Sequence, residues 1–297
     1  ADIRDTDIIN LIETHSFDCV LNFAAESHVD KSIHSDKEFI STNILGTHNL
    51  LSSCHDLLKK NILPKHFKFI QVSTDEVYGS LPMLESPFSE QSKLHPSNPY
   101  SASKAAAENV FYAYEKSFFN KNKKLGIASA RAGNVIGGGD WADNRIIPDC
   151  VKSIINKTKL VIRSPLSVRP WQHVMEPISG YIKLSMLLHK KPKKFSGSWN
   201  FGPSLTKTYN VKDVINIFLK EIKINKKIIV KKNISFKETI NLKLKCNKAR
   251  KNLNWNNIWN TYESIKNTSM WYKVYLEKDD IFDFTNKQIK EYFKKGI

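Results

Sequence analysis

Helical and strand-like hydrophobic patterns alternate through the first 135 residues. Segments with a period near 3.6 residues are separated by short, nearly continuous apolar runs. The predicted helices are DTDIINLIETH (with Asp5 or Thr6 as its cap), EFISTNILGTHNLLSSCHDLLKK and YSASKAAAENVFYAYEKSFF, and the predicted strands are DCVLNFAA, FKFIQVS and LGIASARA. Apolar strands that alternate with helices indicate a parallel sheet covered on both faces. The pattern predicts an α/β fold with a doubly wound parallel sheet.

The alternation becomes less regular after the segment GNVIGGGDWADN. Shorter elements follow, predicted as helices in NRIIPDCVKSIINK, EPISGYIKLSMLLHK, NVKDVINIFLKEI, WNTYESIKNTSMWYKVYL and TNKQIKEYF, and as strands in LVIR, PWQHV and SWNFGP. No internal repeat and no composition typical of a linker divides them. We therefore expect residues 1–135 to form the doubly wound core. Residues 136–297 should form mainly a smaller α/β lobe, interleaved with that core.

The usual opening of such a core is not found in this sequence. A doubly wound nucleotide-binding fold begins with a strand, a glycine-rich turn and a helix, and the turn's backbone N–H groups bind a pyrophosphate. The sequence contains no G-x-x-G-x-x-G, and its first residues resemble the end of a βαβ unit. We expect that roughly the first 50 residues of the fold are missing, through gene fragmentation or a real truncation.

Composition favours an ordinary globular enzyme. Hydrophobic residues make up 41% of the 297 residues, and no apolar run approaches the roughly 18 residues of a transmembrane helix. The start, ADIRDTDIIN, lacks the pattern of a signal peptide. The four cysteines are scattered without a C-x-x-C pair, which suits a reducing, cytoplasmic location and argues against a zinc site.

A formal net charge of +17 raises the possibility of a nucleic-acid partner. The excess is mostly lysine, interleaved with asparagine and isoleucine in segments such as KEIKINKKIIVKKN. No arginine-rich helix, zinc finger or RNA-binding motif accompanies it. The sequence therefore predicts solvated basic faces, with neither nucleic acid nor a membrane as a partner.

The candidate chemistry lies in VSTDEVYGSL and YSASK. Acidic residues after a strand are usually turn residues, so Asp75 and Glu76 alone would mean little. Tyr100 and Lys104, however, are four apart and share a helix face. The ammonium can stabilise the phenolate, which lowers the tyrosine pKa towards neutrality so that it can accept a hydroxyl proton. Thr74 would supply a hydroxyl that orients the substrate oxygen.

These segments carry a family resemblance over essentially the whole chain. AAESHVDKSI, STNILGTHNLL, VSTDEVYGSL and NPYSASKAAAE resemble the extended short-chain dehydrogenase/reductases, and among them the nucleoside-diphosphate-glucose 4,6-dehydratases. SARAGNVIGGGDWADNRIIPDCV, RPWQHVMEPISGYI and WNFGP most resemble the CDP-glucose 4,6-dehydratases. Those enzymes typically have Asp-Lys where this chain has Asp75-Glu76. The Asp-Glu pair and ESHVD resemble the dTDP-glucose enzymes instead.

The resemblance implies an NAD-dependent reaction. Tyr100 would accept the proton of the sugar 4-hydroxyl, Glu76 would remove the C5 proton, and Asp75 would protonate the departing 6-hydroxyl. These two roles need a carboxylate beside a carboxylic acid. Two carboxyl groups that lie close together acquire different pKa values, so the pair can supply both forms. A simple epimerase does not need the pair.

The same resemblance implies the binding residues. Asn134 could also be a turn residue, Arg169 a surface cation and His173 a structural histidine of the lobe. No metal site is implied. The residues implied for the cofactor are Asp2, Ile3, Ala24, Ala25, Glu26, Tyr100 and Lys104, and those implied for the sugar nucleotide are Asn134, Arg169, His173 and Asn200.

The leading hypothesis is an NAD-dependent NDP-glucose 4,6-dehydratase of deoxysugar and surface-polysaccharide synthesis. CDP-glucose is the favoured substrate and dTDP-glucose the next. The alternatives are a related epimerase or decarboxylase, or a truncated, non-catalytic chain that only binds or dimerises. We expect a homodimer, paired through the helices that contain residues 43–58 and 105–118, because each carries more apolar residues than one sheet-covering stripe needs.

Overall fold

The computed structural model describes residues 1–81, 85–122, 124–230 and 242–296. Its strands are β1 Cys19–Asn22, β2 Lys68–Thr74, β3 Gly126–Ala132, β4 Val135–Ile136, β5 Leu160–Ile162, β6 Val168–Arg169, β7 Gln172–His173, β8 Gly197–Phe201, β9 Tyr209–Asn210 and β10 Ile228–Val230. Its α-helices are α1 Ile8–His15, α2 Val29–His34, α3 Lys37–Phe39, α4 Thr47–Lys59, α5 Pro99–Ser117, α6 Ile146–Ile155, α7 Met175–Lys190, α8 Pro192–Phe195, α9 Val211–Glu221, α10 Asn247–Leu253, α11 Thr261–Glu277 and α12 Ile281–Gly296.

A four-stranded parallel sheet lies at the centre, in the order β1-β2-β3-β8. Successive side chains on a strand point to opposite faces of the sheet. Phe69 of β2 therefore packs with α4 and α5 in one buried cluster, whereas its neighbour Ile70 packs with α7 in another. Burial on both faces explains why the strands are apolar almost throughout. The predicted doubly wound α/β fold is confirmed.

A second apolar core belongs to the smaller lobe. It is built around the short strand pairs β4–β7, β6–β9 and β5–β10, with α6, α9 and α11 packed on them. Between these segments the chain returns to the main sheet, because α7 packs on β2 and β3 and β8 pairs with β3. The two parts of the fold are thus interleaved along the sequence.

The predicted helix from residue 38 to residue 60 contains an irregularity. It consists of α3, a π-helical segment Ile40–Gly46 and α4. A Cβ atom on Gly46 would lie 2.6 Å from Cδ1 of Ile3, so only glycine permits this close approach. Such π-helical turns are frequent at functional sites. This one contains the buried Asn43.

Capping residues explain where the longer helices begin. α5 has a capping box between Asn98 and Ser101 and a proline at its first position. α11 also begins with a capping box, between Asn260 and Glu263. The predicted cap of α1 at Asp5 or Thr6 is wrong, because that helix begins only after Asp7, whose side chain makes no capping hydrogen bond.

None of the helices in the described part of the chain is both long and apolar enough to cross a membrane. All four cysteines are free thiols.

One ion pair lies in the interior, where α5 covers β3. Arg131 donates to the carboxylate of Glu108 through Nε at 2.9 Å and Nη2 at 2.6 Å, and both side chains are almost completely buried. Glu108 also accepts a hydrogen bond from Ser73, and Arg131 donates to the Tyr78 hydroxyl at 2.6 Å. The pair connects β2, β3 and α5.

We expect Glu108→Gln to lower the free energy of unfolding by about 3–5 kcal/mol, because it leaves the buried guanidinium without a counter-charge. Chemical denaturation at neutral pH would measure the change. Asp283→Asn breaks an exposed ion pair with Lys287 of 2.6 Å and serves as the control, with an expected effect of about 0–1 kcal/mol. Similar effects of the two substitutions would contradict the prediction.

Candidate active site

The two candidate acids lie in a turn at the carboxyl end of β2. Thr74 ends the strand, and Asp75–Tyr78 form a single 3₁₀ turn. The Thr74 hydroxyl accepts a hydrogen bond from the Glu76 backbone N–H at 3.2 Å and donates to Oδ1 of Asp75 at 3.3 Å. One hydroxyl therefore fixes the backbone of one acid and the side chain of the other.

Asp75 is held in its acidic form. The residue is 2% exposed, and its Oδ2 has no hydrogen-bond partner within the protein. Burial raises its pKa to about 8, and Glu76 adds to the rise, against smaller opposing effects of Arg169 and Thr74. Asp75 is therefore protonated at neutral pH and can donate a proton, whereas the neighbouring Glu76 is only half-buried.

Tyr100 and Lys104 occupy the first turns of α5, beside the acids. The Tyr100 backbone N–H donates to the Ser32 hydroxyl at 3.1 Å, and its ring meets Phe39 edge-on. Both acids raise the pKa of the Tyr100 phenol, which shows that the three side chains share one environment. Thr74, Asp75, Glu76 and Tyr100 are thus brought together as the sequence predicted.

The expected effect of Lys104 on Tyr100 is not found in this structure. The Lys104 ammonium donates to the Val72 carbonyl at 2.8 Å, and burial lowers its own pKa to about 8, opposed by Glu108. Burial also raises the pKa of the Tyr100 phenol above its ordinary value, against smaller opposing effects of Thr74 and Arg145. The prediction of a lowered tyrosine pKa is therefore wrong here. Although Lys104 lies one helical turn away, burial of the phenol is the largest influence on its pKa.

The loop after β1 presents small side chains beside this site. Ala24 is exposed and Ala25 half-buried. The Asn43 side-chain amide holds the backbone of Glu26 from both sides, since it accepts from the N–H at 2.9 Å and donates to the carbonyl at 3.0 Å. Asn43 also donates to Ser103 of α5 at 2.8 Å. The loop is thereby fixed relative to the helix that carries Tyr100.

Asp2 and Ile3 lie in the turn before α1. Asp2 forms an exposed ion pair with Arg4 at 2.5 Å, and hydrogen bonds from Arg4 lower its pKa to about 2. The Ile3 side chain is buried against Gly46, and its carbonyl accepts from Asn49 at 2.8 Å. In this arrangement Asp2 is accessible to a ligand and the Ile3 side chain is packed inside.

The predicted substrate residues divide into two groups. Asn134 and Arg169 are half-buried at the lobe side of the site, and Arg169 is near enough to lower the pKa of Asp75. Asn200 is fully buried, where it accepts from the Tyr78 hydroxyl at 2.8 Å and donates to the Phe88 carbonyl at 3.2 Å. His173 is also buried, which lowers its pKa to about 3, and its Nε2 has no partner in the protein.

Sequence reasoning missed the residues that support the site. Arg131 interrupts the apolar strand GIASARA, and a charge in a fully buried strand requires a partner. Glu108 follows Lys104 by four residues and shares its helix face, so the spacing in the sequence was a signal for Glu108. Asn43 carried no signal, because its partners come from distant segments. Among the described residues, no cluster of three or more His, Cys, Asp and Glu side chains could hold a metal ion.

Comparison with known proteins agrees with this arrangement. Residues 1–268 match the family model of GDP-mannose 4,6 dehydratase. A CDP-glucose 4,6-dehydratase of Salmonella typhimurium is 33% identical over 297 residues, which cover 98% of this chain and 81% of that enzyme. The chain belongs to the GDP-mannose 4,6 dehydratase family. The resemblance to sugar-nucleotide dehydratases is confirmed.

Other members of the group extend the comparison. A dTDP-glucose 4,6-dehydratase of Haemophilus influenzae is 33% identical over 215 residues, which cover 70% of this chain and 60% of that enzyme. The crystal structure of a dTDP-glucose 4,6-dehydratase from Bacillus anthracis in complex with NAD has a TM-score of 0.74 and 26% identity, with 93% of this chain and 79% of that one covered. The individual roles of the site residues in this dehydratase-family chain stay predictions.

The buried Asp75 gives a pH-dependent stability. Its pKa in the folded protein, about 8, lies above the ordinary value of 3.8, so the folded state keeps a proton that the unfolded chain has released. The free energy of unfolding should therefore fall between about pH 4 and pH 8, by up to about 1.4 kcal/mol per pH unit. Asp75→Asn removes the ionisable group and with it this fall in the free energy of unfolding. The variant should therefore be more stable than the wild type by a margin that grows with pH.

Denaturant titrations at pH 5, 6.5 and 8 would measure that margin. Asp279→Asn, at an exposed aspartate, is the matched control and should differ from the wild type by the same amount at each pH. A margin for Asp75→Asn that stays constant across the series would show that the carboxyl group is ionised in the folded state.

Proposed function

We propose that this chain is an NAD-dependent nucleoside-diphosphate-glucose 4,6-dehydratase. The observation that carries the proposal is the Asp75–Glu76 pair, one acid buried and protonated and the other more exposed, beside Tyr100 and Lys104. The family relationship gives the reaction type, and the pair gives the means to remove water from the sugar.

The chemistry needs three proton-transfer groups. Tyr100 accepts the proton of the 4-hydroxyl as C4 becomes a ketone. Glu76 then removes the C5 proton, which the ketone has made acidic, and returns a proton to C5 at the end. Asp75 gives its proton to the 6-hydroxyl, which leaves as water. Burial favours the protonated form that Asp75 needs, whereas it raises the pKa of Tyr100, so Tyr100 would act as a base only where the positive charge of the bound oxidised cofactor offset that burial.

The residues of the site fit the cofactor. The loop with the small residues Ala24 (exposed) and Ala25 (half-buried) follows the carboxyl end of β1, and doubly wound sheets bind dinucleotides at the carboxyl ends of their strands. Glu26, Tyr100 and Lys104 border the same region, and Asp2 has a carboxylate at the surface beyond it. When bound, NAD accepts a hydride from C4 and returns it to C6, and its oxidised ring carries a positive charge that favours a nearby phenolate.

CDP-glucose is the substrate that we favour, and dTDP-glucose the next. The substrate-side half of the chain carries the closer resemblance to CDP-glucose enzymes, and the Salmonella relative named for that substrate aligns over nearly the whole chain. We assign Arg169 and Asn134 to the diphosphate and sugar, because both are half-buried and a guanidinium binds phosphate oxygens bidentately. His173 and Asn200, which the resemblance also assigns to the sugar nucleotide, are both buried. A cytoplasmic role in deoxysugar synthesis fits the four free thiols.

The decisive test is conversion of an NDP-glucose to the 4-keto-6-deoxy sugar by the full chain with NAD. We expect product to form without net accumulation of reduced cofactor, whose absorbance would be followed together with the sugar product. Tyr100→Phe should abolish turnover, because the base at O4 is lost. Reduced cofactor in equal amount to product would show a dehydrogenase instead.

Substitution of each acid should stop the reaction at a different step. Glu76→Gln should allow hydride removal but stop at C5, so that reduced cofactor and a 4-keto-glucose nucleotide accumulate without solvent deuterium entering C5. Asp75→Asn should allow C5 exchange while water loss slows by about 10²–10⁴-fold. Assays with CDP-, dTDP- and UDP-glucose would determine the preferred base. Identical partial reactions for both variants would contradict this division of roles.

We also expect a homodimer formed through the π segment with α4 and through α5. These helices pack side by side, and Leu45 and Tyr112 are each 58% exposed on them. Leu45→Glu with Tyr112→Glu should convert the dimer to a monomer in sedimentation velocity. Phe282→Glu, at an aromatic residue of α12 that is 78% exposed, is the control and should stay dimeric. A monomeric wild type at micromolar concentration would contradict the expectation.

A further inference from the structure

Two arginines of the smaller lobe contact one short segment of the core, residues 27–32. Nη1 of Arg163, directly after β5, lies 2.7 Å from Oδ2 of Asp30 on α2. Nη2 of Arg145, directly before α6, donates to the Ser27 hydroxyl at 3.0 Å. The segment follows the carboxyl end of β1, which is parallel to β2. Both contacts therefore lie at the edge of the sheet that carries the two acids.

The 27–32 segment is itself fixed to the helix that carries Tyr100. The hydroxyl of Ser32 accepts from the Tyr100 backbone N–H at 3.1 Å. At the other end of the segment, the backbone of the preceding residue, Glu26, is held by the side chain of Asn43 at 2.9 and 3.0 Å. A lobe residue that contacts this segment therefore contacts a support of the candidate active site.

On the other side, both arginines are anchored in the packed lobe. Arg145 also donates to Oδ2 of Asp140 at 3.2 Å, and the Asp140 carbonyl accepts from the Tyr272 hydroxyl of α11 at 2.6 Å. Arg163 directly follows Ile162, which is buried in the apolar core of the lobe. The two arginines thus connect the interior of the lobe to the 27–32 segment.

The contacts are partly open to solvent. The side chains of Arg163 and Asp30 are 33% and 22% exposed, and that of Arg145 is 41% exposed. Ion pairs of this kind contribute little to the stability of a fold, and salt screens them. They differ in this respect from the buried pair of Arg131 and Glu108. Contacts of this strength can break and re-form while the lobe and the core stay folded.

We propose that Arg163 with Asp30, and Arg145 with Ser27, form a latch that holds the lobe against the core across the substrate site. Arg163 and Asp30 are positioning residues, because they act through the placement of the lobe. The effect of the latch on turnover rests on the proposed function, in which the acids of the core and the substrate residues of the lobe form opposite walls of the site. The closed latch keeps these walls at the separation that the sugar nucleotide needs.

The first test measures the placement of the lobe and needs no activity. Spin labels are attached to cysteines introduced at the exposed Lys37 of the core and Lys159 of the lobe. The background is Cys19→Ser, because the other three native thiols are buried. Arg163→Gln should lengthen and broaden the distribution of distances between the labels, measured by pulsed electron paramagnetic resonance on the full chain. A distribution identical to that of the wild type would overturn the latch.

The second test is a double-mutant cycle on turnover of NDP-glucose with NAD. Arg163→Gln and Asp30→Asn should each raise KM by about two- to fivefold, the range expected for a partly exposed ion pair. The value of kcat should change little, because bound substrate itself bridges the lobe and the core. The double variant should show no larger effect than either single variant, since the first substitution already opens the latch.

Glu277→Gln is the matched control, because its ion pair with Lys273, of 3.8 Å, lies within α11 and does not reach the core. Its KM and label distances should equal those of the wild type. Additive effects of Arg163→Gln and Asp30→Asn, or a fall in kcat with unchanged KM, would overturn the latch. Failure of the wild type to make product from any NDP-glucose would instead reject the proposed function, and the label distances would still decide whether the latch exists.

Discussion

The arrangement of the active site depends on the buried ion pair between Arg131 and Glu108. Two charges in the interior are tolerated only with close geometry and a full set of hydrogen bonds. The planar guanidinium meets this demand, because it binds the Glu108 carboxylate with two nitrogens while another donates to Tyr78, the last residue of the catalytic turn. Ser73, directly before Thr74, donates to the same carboxylate. The turn that carries both acids is thus fixed at its two ends by one pair of charges.

This fixed support allows two adjacent carboxyl groups to differ in protonation. Asp75 is buried, which disfavours its ionised form, and Glu76 lies nearer to solvent. A flexible turn would let Asp75 rotate outward and ionise. The 3₁₀ turn, closed by Thr74 at its start and held by Tyr78 at its end, restricts that freedom. A structural ion pair therefore holds the turn in which one carboxyl group is buried and its neighbour is more exposed.

The sequence predicted the fold and the position of the site well, because both depend on local patterns. Strand and helix periodicity follows from which face is buried, and the four-residue spacing of Tyr100 and Lys104 fixes their common helix face. The electrostatics could not be predicted in this way. The pKa of Tyr100 depends on how much water the assembled site excludes, and Lys104 finds the Val72 carbonyl, a partner contributed by a different strand. Likewise, the burial of Asn200 depends on Tyr78, which is distant in sequence.

The chain resembles CDP-glucose enzymes in one part and dTDP-glucose enzymes in another. These two resemblances have a physical basis, because they belong to different regions of the fold. The acid pair belongs to the end of β2 and is held from within the core by Arg131. Arg169 and Asn134 belong to the lobe side, where the nucleotide would lie. The two regions meet through the effect of Arg169 on Asp75, which lowers the carboxyl pKa but is outweighed by burial. Because burial is the largest cause of the raised Asp75 pKa, residues of the lobe can change while Asp75 keeps its proton. One chain can therefore combine the acid pair of one subgroup with the substrate lobe of another.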